Sequence, residues 1–303
     1  MTHPAADELL LLVGFSEGSA SNVVAQMIAP ALGKALDQSV RIERIVGDNG
    51  AICAERLARA APDGRTLAIA IQANVIGSLL HATKRYDPLV DFAPVALFAR
   101  SPMVLAVSNA LGVGTAAGLI ALARAQPGRL TYATSALGGA PHLAGVLFNL
   151  MAGVSLRLSV YADTNVLYDD LAHGRIAATF NNIMSALPLA RNGKLRVLAV
   201  TSLERSPNAP EVPTLSESAL PGYEIMNVIG AVAPAGTAAP TIARINTAFA
   251  QAVNTPEVRE SLLAGGMEPV VGSPQEFAAH MRGELERWSR FISANRAAFA
   301  DRP

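Results

Sequence analysis

The sequence predicts an open α/β architecture in more than one domain, and three observations carry that prediction. Short apolar runs alternate with Gly/Ser/Pro loops and helical stretches along most of the 303 residues, the rhythm of strand–helix–strand units. Most of the runs lack a polar face, as strands do when helices cover both sides of a parallel sheet. The length amounts to about two domains, and a hydrophobic content of 51% supplies core for both.

Taken in order, residues 9–15 read as the first strand and 21–36 as the first helix. Strands are then expected at 40–46, 67–72, 94–100, 103–108, 130–134, 156–161, 177–181, 195–202 and 225–233. Helices between them include 51–61, 115–125 and 141–151. The C-terminal part changes character, with helices at 237–253, 256–264 and 274–295 and few strands between. In the last of these Phe277, Met281, Leu285, Trp288 and Ile292 recur at helical spacing, a stripe that docks on a core.

Composition removes several function classes. The 24 basic and 24 acidic residues balance to zero net charge, with no basic block for nucleic acid. Charged residues make up only 16%, too few for a disordered chain. Cys53 is the single cysteine, which excludes an intramolecular disulfide and a multi-cysteine metal site, and its apolar neighbours read as a buried helix face. His3, His81, His142, His173 and His280 are scattered, without the i, i+4 pair of a metal-binding helix. No cofactor or metal is expected. No apolar run reaches the ~18 residues of a membrane span. Residues 1–8 are polar and 9–13 too short an apolar run for a signal-peptide core. This leaves a cytoplasmic protein, or a periplasmic one whose leader is not in this chain.

Two loops carry the chemistry. Ser16-Glu17-Gly18-Ser19-Ala20-Ser21-Asn22 links the first strand to the first helix. Ser135-Ala136-Leu137-Gly138-Gly139-Ala140-Pro141 does the same after the strand at 130–134. A helix N-terminus presents unpaired amides and about half a positive charge, so it attracts carboxylate without Arg or Lys. Such loops, one per domain, would bind an anion beyond the carboxyl ends of the strands. The same residues cap helices with no ligand at all. Gln72 and Asn74 lie at the carboxyl end of the strand at 67–72, and Asn181 and Asn182 at that of the one at 177–181, where amides serve either a ligand or a turn. Tyr161 ends another strand, as ligand contact or rim aromatic. His142 lies in the first turn of the helix after the second loop, where a hydrogen bond within the loop competes with a ligand contact.

Enzyme signatures are missing. Gly112-Val113-Gly114-Thr115-Ala116-Ala117 fits a dinucleotide pattern, but no acidic residue ends the next strand, so a helix cap is the simpler account. No nucleophile elbow is present. Asp169-Asp170 and Glu284/Glu286 read as solvated pairs on helix faces.

Around these loops the sequence resembles the Bug/TctC family of tripartite tricarboxylate transporter solute-binding proteins, from Leu9 to about Arg296. The stretch Gly14-Phe15-Ser16-Glu17-Gly18-Ser19-Ala20-Ser21-Asn22-Val23-Val24-Ala25 follows the family pattern P-F-x-x-G-G-x-x-D-x-x-A-R. Gly47-Asp48-Asn49-Gly50-Ala51, Ala61-Pro62-Asp63-Gly64-Arg65-Thr66-Leu67 and an intact Tyr86-Asp87-Pro88-Leu89-Val90-Asp91-Phe92-Ala93-Pro94 come next. Pro127-Gly128-Arg129-Leu130-Thr131-Tyr132-Ala133-Thr134-Ser135, Asn192-Gly193-Lys194-Leu195-Arg196, Val212-Pro213-Thr214 and Ala233-Pro234-Ala235-Gly236-Thr237 keep the family's order. Each piece is weak alone; their order is the strong signal.

The resemblance implies a periplasmic binding protein-like fold (type II, Venus flytrap): two α/β domains, 1–103 plus 230–303 and 104–229, with a ligand cleft between them. It implies a monomeric extracytoplasmic receptor that passes a small carboxylate to the membrane subunits of its transporter. The implied ligand is a di- or tricarboxylate, an amino acid or an aromatic acid. A ligand sensor on the same fold is the alternative, and an enzyme the remote one. With the positional argument, the site takes in Ser16, Ser19, Ala20, Ser21, Asn22, Gln72 and Asn74 from one domain. Thr134, Ser135, Leu137, Gly138, Gly139, His142, Tyr161, Asp163 and Asn181 come from the other. Departures bear on the ligand. Asn22 stands where the family has an acid, Ser19 replaces the second Gly, and Val160-Tyr161-Ala162-Asp163 replaces P-Y-K-G. Asp163 either pairs with a cationic ligand group or caps the helix that follows.

Overall fold

A computed structural model describes residues 7–15, 17, 19–80, 85–134, 138–161 and 163–294. In chain order the elements are β1 (Glu8–Val13), α1 (Ala20–Leu36), β2 (Ser39–Arg44), α2 (Ala51–Ala58), β3 (Thr66–Ile71), α3 (Gln72–Leu80) and β4 (Phe92–Val107). There follow α4 (Ala116–Ala125), β5 (Thr131–Thr134), α5 (Ala140–Ala152), β6 (Arg157–Val160), α6 (Thr164–Ala172), β7 (Ala178–Asn182), α7 (Ile183–Arg191), β8 (Arg196–Val200) and α8 (Leu215–Ser218). The chain ends with β9 (Met226–Pro234), α9 (Ala239–Val253), α10 (Pro256–Ala264), β10 (Glu268–Gly272) and α11 (Pro274–Ala294). It divides into two compact units, Met1–Arg100 with Val228–Pro303, and Ser101–Asn227. The chain passes from one to the other inside β4 and returns inside β9.

In the first unit β1 lies between β2 and β3, parallel to both. Its run Leu9–Val13 is wholly buried because helices cover both faces. Leu9, Leu11 and Val13 share a core with Val24, Ile28 and Leu32 of α1 and Ile245 and Phe249 of α9. Phe249 stacks on Phe98 of β4 with ring centroids 5.1 Å apart. Burying each such side chain stabilises by about 1.5–3 kcal/mol. α1 starts on a Ser19 cap and stops at Asp37, in the left-handed conformation with φ 54°. Phe277, Met281, Leu285 and Trp288 form the buried stripe of α11. The indole of Trp288 donates to Glu284 at 3.1 Å, so Glu284 is engaged within its helix, not simply solvated.

The second unit repeats the plan. β5 lies between β6 and β7, parallel to both. Leu167 and Leu171 of α6 and Ile183 and Leu187 of α7 pack with Val104, Ala106 and Ala133 of the sheet. Gly145 of α5 lies against the Tyr132 ring so closely that a Cβ would overlap it. Any side chain there would force the Tyr132 ring aside.

Three expectations need correction. The sheets are mixed, because β9 runs antiparallel to β3, and β4 antiparallel to β7, β8 and β10. Strands expected at 94–100 and 103–108 are one strand, β4, whose intervening Ser101 is buried and extended. β10 escaped the sequence reading because Glu268 and Pro269 break its apolar pattern, and it pairs with β4 across an irregular register.

Candidate functional site

In both units the parallel trio has the same strand order, second–first–third: β2-β1-β3 and β6-β5-β7. The chain therefore reverses its winding direction beside the central strand. That switch point, at the carboxyl ends, is where open α/β sheets bind ligands. The two Gly/Ser loops follow β1 and β5, the two central strands.

In the first unit Ser19 caps α1, its hydroxyl accepting from the Asn22 amide at 3.3 Å and lying 3.2 Å from the Ser21 hydroxyl. The amides of Ala20 and Ser21, first in the helix, donate to no acceptor among the described residues. Ser21 and Asn22 are 0% and 1% exposed. Among the described residues the Asn22 side chain has no hydrogen-bond partner at either Oδ1 or Nδ2. Buried amides left unsatisfied cost about 1–3 kcal/mol per group, so an orphan of this kind calls for an explanation.

The loop after β2 closes on the same place. Gly47, Asp48, Asn49 and Gly50 all have positive φ, at 145°, 45°, 51° and 87°, a costly run for the two non-glycine residues. Arg85 forms ion pairs with Asp48 and with Glu55 of α2, which pin the turn. A Cβ on Gly50 would lie 2.8 Å from Asn74 Nδ2 and 3.0 Å from the Phe15 ring. The loops after β1 and β2 and the first turn of α3 therefore meet at Gly50. Asn74 is buried, and its carbonyl accepts from the Tyr86 hydroxyl at 2.6 Å. Sequence reasoning quoted Gly47-Asp48-Asn49-Gly50 but did not place it at the site; its paired glycines around Asp-Asn were the available signal. Nearby, the Cys53 thiol is buried and pushed up to about 12, chiefly by desolvation and then by Glu43, so it stays protonated and inert.

In the second unit Thr134 ends β5 fully buried, and its carbonyl accepts from the Tyr161 amide at 2.9 Å. Gly139 caps α5 without a side-chain bond, and Pro141 occupies its first turn. The amides of Gly139 and Ala140 donate to no acceptor among the described residues. Gly138, at φ 76°, donates its amide to His142 Nδ1 at 3.0 Å. His142 thus does the loop-internal work, and the Gly138 amide is already engaged. An accepting Nδ1 places the ring proton on Nε2.

The end of β6 is also committed. The Tyr161 hydroxyl donates to Asp170 at 2.6 Å, and Asp170 binds Arg175 at 2.5 Å. Asp170 is therefore no free solvated carboxylate; Tyr161 and then Arg175 hold its pKa below the ordinary aspartate value. Tyr161 is raised, by desolvation first and then by Asp170. Asp163 caps α6, accepting from the Asn165 amide at 2.7 Å. At the end of β7 the Asn181 side-chain oxygen accepts from the Asn182 amide at 2.9 Å.

Some expected positions are not described. Ser16, Ser135 and Leu137 lie outside the described residues, and so does the side chain of Gln72. The dinucleotide-like stretch contains a helix cap: Thr115 accepts from the Gly118 amide at 3.0 Å at the start of α4. Among the described residues no three His, Cys, Asp or Glu side chains group to hold a metal ion, and no helix is long and apolar enough to cross a membrane.

Comparison with known proteins gives the family. The family model for the tripartite tricarboxylate transporter family receptor, TctC, matches residues 24–296. The chain is 32% identical over 282 residues to a UPF0065 protein from the tcbD-tcbE intergenic region of Pseudomonas sp. strain P51, covering 93% of this chain and 84% of that one. It is 31% identical over 293 residues to BugT of Bordetella pertussis, covering 96% and 90%. Among solved structures, R. palustris Rpa4515 with adipate superposes with TM-score 0.86 at 34% identity, over 95% of this chain and 97% of that one. MatC of Rhodopseudomonas palustris with bound malate gives TM-score 0.84 at 27% identity, over 95% and 100%. The chain belongs to the TctC receptors of tripartite tricarboxylate transporters, a solute-binding and not a catalytic family, with a periplasmic-binding-protein-like α/β fold.

Proposed function

We propose that this receptor works in the periplasm, captures a small carboxylate and delivers it to the membrane subunits of a tripartite transporter. One observation carries the ligand class: each unit ends the central strand of a parallel trio in a helix entrance whose amides, at Ala20 and Ser21 in one and at Gly139 and Ala140 in the other, meet no acceptor among the described residues. Those groups and the helix dipoles favour an anion. Neither loop contains Arg or Lys, so the binding charge is the partial charge of the backbone. The candidate ligand contacts are Ser16, Ser19, Ala20, Ser21, Asn22, Gln72 and Asn74 in the first unit and Thr134, Ser135, Leu137, Gly139, Tyr161 and Asn181 in the second, Tyr161 only through its ring and an oxygen lone pair. Gly138, His142 and Asp163 act from behind, shaping the second loop and the start of α6. The relatives solved with adipate and with malate support the carboxylate class.

Calorimetry with a panel of small acids that includes adipate and malate tests the reading. Saturable binding without consumption of the acid is expected, and binding should weaken in Ser21→Pro, which removes one of the amides. A panel in which no acid binds, or in which a bound acid is turned over, overturns it.

A further inference from the structure

Asn22 is the one buried side-chain amide, among the described residues, with both polar atoms unpartnered. Its setting sharpens the point. Ser19 and Asn22 stand at the two ends of a capping box, but only half of the box is made: the Asn22 backbone amide reaches Ser19, and the Asn22 side chain reaches nothing in return. Helical side chains lean toward the N-terminus of their helix, so this amide sits at the entrance of α1, where the unengaged amides of Ala20 and Ser21 also lie.

We infer that Asn22 receives an uncharged ligand group that donates and accepts hydrogen bonds at once, a primary carboxamide above all. This rests on the carboxylate-receptor reading and names a second group on the same ligand. A carboxamide fits both vacancies: Asn22 Nδ2 donates to its carbonyl, and its N–H donates to Asn22 Oδ1. A second carboxylate would take the Nδ2 hydrogen but leave Oδ1 without a donor and facing negative charge. An ammonium would satisfy Oδ1 but leave Nδ2 unpaired, and it would sit at the positive end of α1 with no carboxylate from Asn22 to balance it. The ligand class is thus an acid amide, with its carboxylate on helix-entrance amides and its carboxamide on Asn22.

The test is isothermal calorimetry with matched series of two lengths: succinate, succinamate and 4-aminobutanoate, then adipate, adipamate and 6-aminohexanoate. At whichever length binds tighter, the half-amide should exceed both the diacid and the amino acid by at least about tenfold, the effect of leaving one buried hydrogen-bonding group unpaired. Asn22→Asp should move the preference to the amino acid, and Asn22→Leu should flatten the order. Melting curves of both variants check that they fold; if either does not, the wild-type order decides alone. A wild-type order with the diacid or the amino acid ahead, or no order at all as when a water occupies the amide, overturns the inference and leaves the carboxylate receptor standing. Absence of binding by all six compounds and by malate overturns the receptor reading, and this inference with it.

Discussion

Tyr161 follows β6 at a position proposed to meet the ligand, yet its hydrogen goes to Asp170, which is shared with Arg175. What it offers a ligand is a ring and an oxygen lone pair. Because Asp170 is held below the ordinary aspartate value of about 3.9, it binds a proton less readily in the folded chain than in the unfolded one. Its contribution to stability is therefore complete above that ordinary value and is lost as pH falls through the lowered one. Tyr161→Phe removes the largest cause, so the Asp170 titration, followed by carboxyl carbon NMR, should move up toward the ordinary range. An unmoved titration would mean that Arg175 alone sets it. Gly50 poses a backbone question. At φ 87°, with Asn74 and the Phe15 ring against the missing side chain, Gly50→Ala should destabilise by about 1–3 kcal/mol in urea unfolding. It should also weaken ligand binding, because the loops after β1 and β2 and the start of α3 lose their common contact.

Helix starts are legible in sequence because a cap is a local event. Ser19, Thr115, Thr214 and Asp163 all cap the helices that follow them. Two of these caps separate stability from binding. Thr115→Ala and Ser19→Ala should each cost about 1 kcal/mol in urea unfolding. Only Ser19→Ala should also lower carboxylate affinity in calorimetry, since Ser19 belongs to the entrance of α1 and Thr115 to a helix outside the proposed site. Equal affinities for the two variants would detach the α1 entrance from ligand binding. Strand limits were less legible. The runs at 94–100 and 103–108 look separate because Ser101 and Pro102 interrupt them, but Ser101 is buried in an unbroken β4. A polar residue marks a loop only if the strand does not run on past it, and here β10 pairs before Ser101 and β7 and β8 pair after it, all distant in sequence.

At the scale of the whole molecule, a receptor whose ligand binds only the folded state should gain about 2.7 kcal/mol at a ligand concentration 100 times its Kd, read as a raised urea midpoint. Adipate and malate are the first acids to try in that experiment. No gain from any acid that binds by calorimetry would show that the binding is not specific to the native fold. The recurrence of a strand, a small-residue loop and a helix at 9–22 and 130–141 was visible along the chain. The sequence by itself determined the strand–helix alternation, the caps and the two loops free of basic residues, because each depends on neighbours within a few positions. Tertiary structure alone decided that both loops follow the central strand of a parallel trio, that Gly138 gives its amide to His142, and that Tyr161 is tied to Asp170. It alone left both polar atoms of the Asn22 side chain without a partner among the described residues. The physical reason is that whether a hydrogen-bonding group is satisfied depends on what the fold brings within about 3 Å of it, and spacing along the chain does not contain that information.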